Sequence, residues 1–338
     1  MDIKGGKFLL IGGAGLIGSH TVDELLKEDV SEIRIYDNFS RGSIENISES
    51  LRDPKVKIFK LGGEILHRDI LDSAMKEIDG VFHLASLWLL HCYEYPRAAF
   101  EVNIGGTFNI IEACINNGVK RIVYSSSASV YGDALEEPIK ETHPYNNTNF
   151  YGATKIASEH IYRSLYHRFK DTDKSFSYVG LRYMNVYGPR QDYQGSYVAV
   201  IMKILDRLDK NLPPIIYGDG SQSYDFIYVK DCGAANVSAM KSNATDDFYN
   251  IGIGIKTSIK ELAELLIELT DKKIKIKYEP EGLTFVKNRV GCTKKARDEL
   301  NFEAKVTLKE GLIKLIEWRN NNKLEVEKRR MKVGKNLE

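Results

Sequence analysis

A chain of 338 residues with 43% apolar side chains is long enough for one large core, or for a core with a smaller partner lobe. Its net charge of +1 supplies no broad field for nucleic acid or an anionic membrane, so any charged ligand must be held by local groups. Cys92, Cys114, Cys232 and Cys292 are too dispersed for a zinc knuckle or a CxxC pair, no apolar run approaches the ~20 residues a bilayer needs, and no secretory signal opens the chain; the expectation is a cytoplasmic protein with free thiols and no metal.

The first apolar run, KFLLIG (7–12), predicts a strand, and SHTVDELLKE (19–28) predicts a helix. Between them Gly12, Gly15 and Gly18 recur three apart. A dinucleotide loop requires this context. The first glycine permits the tight turn, the second lets the backbone approach a pyrophosphate, and the third lets helix and strand pack closely. Free N–H groups at the helix start add a positive dipole end for phosphate, and Leu16 and Ile17, just before it, are candidate cofactor contacts. The second strand, EIRIYD (32–37), closes on Asp37. A carboxylate there takes the adenosine ribose hydroxyls and repels a 2′-phosphate, which favours NAD over NADP. Arg41 argues the other way, since it can meet a phosphate.

Further strands are predicted at VKIFKL (56–61), GVFHLA (80–85), RIVYSS (121–126) and SYVGLR (177–182). Helices are predicted at ILDSAMKEI (70–78) and NIGGTFNIIEACINNG (103–118). Continuous apolar runs suit parallel strands covered on both faces. The alternation predicts an α/β fold, a Rossmann-type doubly wound parallel sheet, over residues 1–188. After Gly188 the pattern loosens, with Pro213, Pro214, Gly218 and Gly220 close together. Helices at Ile259–Asp271 and Leu308–Asn320 flank a β-rich piece, KIKIKYEP (273–280). Residues 189–320 read as a smaller α/β substrate lobe with some return to the first sheet. The basic tail, 321–338, reads as a solvated helix or frayed end, with a docking element as the alternative.

The fifth strand runs into SSSASVYG (125–132), and YGATK (151–155) follows. Tyr151 and Lys155 are four apart, so on a helix they share a face. An ammonium beside a phenol stabilises the phenolate, and such a tyrosine can act as a base near neutral pH. Ser127, at the strand end, can hydrogen-bond the same substrate oxygen. The three together can take a proton from a carbinol while a hydride leaves for nicotinamide.

Here the chain resembles the extended short-chain dehydrogenase/reductases, specifically the nucleotide-sugar epimerase/dehydratase group. The matching stretches are GGAGLIGS (12–19), YDN (36–38), RDILD (68–72), HLAS (83–86), VNIGGT (102–107), SSSASVYG, YGATK, LRYMNVYGPR (181–190) and YGDG with DFIYVKD (217–231). They occur in family order along nearly the whole chain. The resemblance implies that Asn38, Ser40, Arg41 and Gly42 follow the acid around the adenosine, and that Asp69 and Ile70 flank the adenine. It places Leu84, Ala85, Ser86, Asn103 and Ser125 along the cofactor groove, and Tyr183 and Val186 at its nicotinamide end. It gives Asn185 the diphosphate of a nucleotide sugar, with Trp88, Tyr217, Tyr224 and Arg289 also on the substrate side. It further implies a homodimer, in which the helices at 103–118 and 151–167 pair across a two-fold axis.

The same resemblance discriminates between reactions. The family's 4,6-dehydratases carry an Asp-Glu pair after the serine or threonine, and its decarboxylating members a glutamate; Ala128 and Ser129 stand there. The remaining Ser-Tyr-Lys set matches the 4-epimerases, with UDP the commonest nucleotide. A dehydrogenase or ketoreductase acting at C4 shares every one of these residues, and a dinucleotide sensor without catalysis shares the fold. Two family arginines that contact the diphosphate are replaced, by Tyr224 and near Gly282. Lys287 or Arg289 is then either their substitute or a surface charge.

Overall fold

Seven parallel strands form the central sheet, in the order Asp247–Ile251, Ser177–Tyr183, Arg121–Ser127, Gly80–His83, Lys7–Ile11, Glu32–Tyr36, Val56–Ile58. The structure is a computed structural model and describes residues 1–191, 200–281 and 286–334; Gly282 and residues 335–338 of the tail lie outside the described residues. The period-two alternation of a strand sends side chains to both faces, and here both are covered. Phe8, Leu10, Ile33, Ile35, Phe82 and Val123 pack on one side. Leu9, Ile11, Val81, Ile122 and Tyr124 pack on the other, against Ile110, Ile111, Cys114 and Tyr162. This is the predicted doubly wound, Rossmann-like α/β sheet.

The first helix runs Leu16–Leu25, starting three residues before its expected position because Gly15 itself is the N-cap. The helix predicted at 103–118 begins with a widened, π-type turn, Phe100–Gly105, before the regular Gly106–Asn116. The helix bearing Tyr151 and Lys155 spans Phe150–Phe169, and its N-cap Asn149 accepts from the Gly152 N–H at 2.8 Å.

Within the central sheet, Asp247–Ile251 is the strand that the apolar pattern does not mark. It lies at the sheet edge beside Ser177–Tyr183 and is reached through the helix Val229–Lys241. That helix lies against the first one. Gly233 permits the contact, since a Cβ there would come within 2.7 Å of the His20 carbonyl oxygen.

A third core gathers Ile201, Leu205, Ile216, Phe226, Leu262, Leu266, Leu312 and Leu315. Only Lys277–Glu279 of the KIKIKYEP run forms a strand, pairing with Ile215–Tyr217. The helices Ile259–Leu269 and Leu308–Asn321 each begin with a capping box, Ser258 with Glu261 and Thr307 with Glu310. Two short strand pairings aim residues at the sheet's carboxyl end: Asn185–Tyr187 with Phe226–Tyr228, and Ser223–Tyr224 with Asn288–Arg289.

The tail departs from the solvated reading. Residues Lys323–Gly334 form a helix that buries Val326 and Arg329. Arg330 joins Arg319 against Asp206 and Asp209, so charges that looked like solvated surface make specific pairs. Among the described residues no helix is long and apolar enough to cross a membrane.

Candidate active site

The glycine loop has the shape of a phosphate cradle. Gly12 has φ +83°, and a Cβ there would sit 2.8 Å from the Ala85 nitrogen. A Cβ on Gly18 would lie 2.2 Å from the Gly12 oxygen, so any larger residue would push the helix off the strand. At Gly15 the nearest atom would be 3.3 Å away, which leaves its outer face open. The helix N-terminus has no side-chain cap and no acid in its first turn, so the N–H groups around Leu16 and Ile17 remain for an anion.

Asp37 closes the neighbouring strand. Its Oδ2 accepts from the Ala14 N–H at 2.9 Å and its Oδ1 from the Phe39 N–H at 2.8 Å. Burial raises its pKa, and the two backbone donors oppose that. Each oxygen keeps a further lone pair for a ribose hydroxyl. Asn38 turns outward to Glu64 and accepts from the Ser40 N–H at 3.0 Å. Gly42 packs against the loop, where a Cβ would come within 2.9 Å of Ala14 and of the Asp37 carboxylate. Uncapped helix, open Gly15 and half-buried carboxylate fit the pyrophosphate and ribose of NAD. Asp69 is an exposed first-turn acid of the helix Arg68–Met75, and Ile70 packs into the core under Gly62.

The groove wall follows the strand Gly80–His83. The Leu84 and Ala85 N–H groups donate to the Ile11 oxygen, continuing the ladder. Asn103 does not face the groove with a free amide. Its Oδ1 accepts from the Leu87 N–H at 2.7 Å, and its Nδ2 reaches the Leu87 oxygen and Thr154 Oγ1 at 3.1 Å each. It is a strut behind the wall that carries Ser86 and Trp88. Arg41 lies near the site, close enough for its charge to act on Tyr151. Its guanidinium lies 4.1 Å from the Trp88 ring centre, and Trp88 in turn meets His91 edge-on at 4.8 Å.

Ser127, Tyr151 and Lys155 converge at the end of the strand Arg121–Ser127. Ser127 lies close enough to the Tyr151 phenol to act on its pKa, and its Oγ accepts from the Ser129 N–H at 3.1 Å. Buried Lys155 donates to the Ser125 oxygen at 2.7 Å and to Ser86 Oγ at 3.2 Å. Its ammonium lies 5.7 Å from the Tyr151 ring centre. The electrostatics differ from the expectation of an acidified phenol. Burial pushes Tyr151 up to about 12, although neighbouring Ser127 and the charges of Arg41 and Arg289 act downward. Burial equally pulls Lys155 down to about 8. In the free protein desolvation outweighs the ammonium's pull on the phenol.

On the substrate side, Arg289 reaches Ser129 Oγ at 3.4 Å and Asn185 Oδ1 at 3.3 Å. The late cation therefore stands inside the site and is not a plain surface charge. Tyr224 spends its hydroxyl on the Val286 oxygen at 2.7 Å. Tyr217 is 56% exposed at the lobe's edge. Val186 packs on the core from the strand it shares with Asn185. Tyr183 is corrected: it is buried and donates to Asn236 Oδ1 at 2.7 Å, so its hydroxyl points into the protein.

Two residues near the site carried no signal in the sequence. Glu159, one helical turn past Lys155, accepts from Ser126 Oγ at 2.6 Å and pairs with buried Arg182 at 2.7 Å. Asn46 donates to the Ala14 oxygen at 2.8 Å, inside the glycine loop. A helix-period glutamate and a loop asparagine look ordinary until the fold brings them to the strand end and the loop. Among the described residues no three His, Cys, Asp or Glu side chains gather as a metal site.

Residues 8–252 match the profile of the NAD dependent epimerase/dehydratase family. The chain is 34% identical over 319 residues to a putative UDP-glucose 4-epimerase of Methanocaldococcus jannaschii, covering 93% of this chain and 98% of that one. It is 30% identical over 321 residues to UDP-glucuronic acid decarboxylase 1 of Arabidopsis thaliana, covering 93% of this chain and 70% of that one. Among solved structures, the UDP-N-acetylglucosamine 4-epimerase of Methanobrevibacter ruminantium, in complex with UDP-N-acetylmuramic acid, superposes with a TM-score of 0.87 at 31% identity, covering 94% of this chain and 99% of that one.

Proposed function

The chain belongs to the NAD dependent epimerase/dehydratase family, and within it we propose a nucleotide-sugar 4-epimerase acting on a UDP-hexose. NAD is the cofactor. One observation carries the reading. Ser127, Tyr151 and Lys155 converge, while the two side chains that follow Ser127, Ala128 and Ser129, hold no carboxyl group.

When bound, oxidised NAD supplies a reversible hydride acceptor and a positively charged ring. Tyr151 takes the 4-hydroxyl proton as the carbon is oxidised and returns it when the ketone is reduced. Its phenol ionises more readily beside that charge than in the free protein, where burial holds it up to about 12. Ser127 lies beside the phenol and is placed to share the reacting oxygen. Lys155 supplies the neighbouring ammonium, held in place by Ser125 and Ser86. Neither Ala128 nor Ser129 can take a proton from C5 or give one to a leaving 6-hydroxyl, which closes the dehydration route. Asn185 and Arg289 anchor the diphosphate while the flat 4-keto sugar turns, so that binding energy holds the intermediate without fixing its face. In this reading residues 1–188 hold the dinucleotide and 189–320 mainly the nucleotide sugar, in the cytoplasm.

The test is incubation with UDP-, GDP- and dTDP-sugars, reading the stereochemistry at C4 by NMR. Epimer mixtures from a UDP-hexose support the reading. A net change in nicotinamide absorbance identifies a C4 dehydrogenase or ketoreductase instead, and no turnover of any sugar nucleotide identifies a dinucleotide sensor.

We also propose a homodimer. Phe108 and Phe150, on the helices Gly106–Asn116 and Phe150–Phe169, are 43% and 39% exposed, with Tyr93 and Phe100 exposed nearby in the chain. Apolar positions on two neighbouring helices suit pairing with their own copies. Light scattering at micromolar concentration should give twice the chain mass; a monomer there would contradict it.

A further inference from the structure

The C-terminal helix Lys323–Gly334 reaches the dinucleotide loop through one buried cation. Arg329 has only 9% of its side chain exposed. Its Nη1 donates to the Arg190 oxygen at 2.8 Å and its Nε to Glu325 at 2.7 Å. Its Nη2 donates to Asn46 Oδ1 at 2.8 Å, and the guanidinium stacks 5.5 Å from the Trp318 ring centre.

Asn46 is itself buried, and its Nδ2 donates to the Ala14 oxygen at 2.8 Å. The Ser43 N–H reaches the same oxygen at 3.2 Å. On the other side of that residue, the Ala14 N–H donates to Asp37 at 2.9 Å. Ala14 lies between Gly13 and Gly15, the most deformable part of the cradle. The polarity of this chain is forced. A guanidinium can only donate, so it requires the oxygen of Asn46; the amide's nitrogen must then face Ala14. Without the cation the buried amide can turn over, and the Ala14 carbonyl would meet an acceptor.

We propose that Arg329 is a positioning residue for the NAD site, holding Asn46 in the one orientation that pins the glycine loop, so that the C-terminal helix sets how firmly the dinucleotide is retained. This uses the NAD dependence of the family and does not depend on which reaction follows. Retention matters for a site that must take and return one hydride without exchange of cofactor.

The experiment measures the release rate of NAD after dilution of the holoenzyme, together with amide hydrogen exchange at residues 13–19. Losing a charge-assisted bond and leaving a buried amide unpaired predicts release roughly tenfold or more faster in Arg329→Ala, with faster exchange in the loop. Asn46→Ala should do the same, and the double variant should release NAD no faster than Asn46→Ala alone. Arg329→Lys, which lacks the fork, should fall between and serves if the alanine variant does not fold. Release within twofold of wild type in the folded variants, with unchanged loop exchange and only a lower melting temperature, would overturn the proposal. That failure is separate from the epimerase reading, which stands or falls on the sugar's C4.

Discussion

The Lys155 ammonium lies 5.7 Å from the centre of the Tyr151 ring, yet its shortest bond, at 2.7 Å, goes to the Ser125 carbonyl oxygen. Motif spacing suggests an ammonium that simply acidifies a phenol. The burial of both groups reverses that balance in the free protein, lifting the phenol to about 12 and lowering the amine to about 8. The pair is poised instead to respond to added positive charge in the groove.

The pH profile should reveal this. Lys155 loses its charge near pH 8 in the free enzyme, and with it the support for a phenolate. kcat/KM, which reports the free enzyme, should therefore fall above about pH 8. A profile flat to pH 10 would show that the amine stays charged.

Stability should carry the opposite signature. The Lys155 pKa is about 8 folded against 10.5 for the ordinary value, so below pH 8 the folded state bears the cost of a buried charge. Between about pH 8 and 10.5 the unfolded chain binds more protons at this site, and stability rises. The full shift is worth on the order of 3 kcal/mol. Lys155→Met should abolish turnover and lose this rise. Urea denaturation of both proteins at pH 7 and pH 10 measures it; equal changes in the two would contradict the assignment.

Glu159 and Arg182 form a buried pair to which Ser126 also binds. Removing one partner leaves a charge in the core, so Glu159→Ala should cost about 3–5 kcal/mol, while Glu159→Gln, which keeps an acceptor, should cost less. Chemical denaturation measures both. A loss under about 1 kcal/mol for the alanine variant would mean that water replaces the carboxylate.

Asp37 pins the loop through the Ala14 and Phe39 N–H groups, and in the proposed site it takes the ribose hydroxyls. Asp37→Ala should weaken NAD by about tenfold or more and NADP by less, because repulsion of a 2′-phosphate is also lost. Titrating both dinucleotides tests this. An unchanged ratio would place the discrimination elsewhere.

Much of the sheet and the glycine loop was legible in the chain, because buried parallel strands are short apolar runs and the glycines are demanded by contacts such as Gly18 against Gly12. The strand Asp247–Ile251 was not, since five residues at a sheet edge after a helix carry little periodic signal. The C-terminal helix misled for another reason. Charge along a helix marks solvent only when no carbonyls or acids wait for it, and Arg329 and Arg330 find both. Tyr183 shares a motif with Asn185, but it ends the strand Ser177–Tyr183 while Asn185 begins another, and the Tyr183 ring is buried with its hydroxyl on Asn236. The stacking of Arg41 on Trp88 was not legible, because the two are far apart in the chain.

The most direct measurement follows a deuterium label at C4 of the UDP-hexose. If Tyr151 serves a transient oxidation at that carbon, the label should remain at C4 in both epimers, with no reduced nicotinamide accumulating, and Tyr151→Phe should slow the exchange by roughly 100-fold or more. Label washed into solvent, or a keto product released with net reduction of the cofactor, would contradict the account.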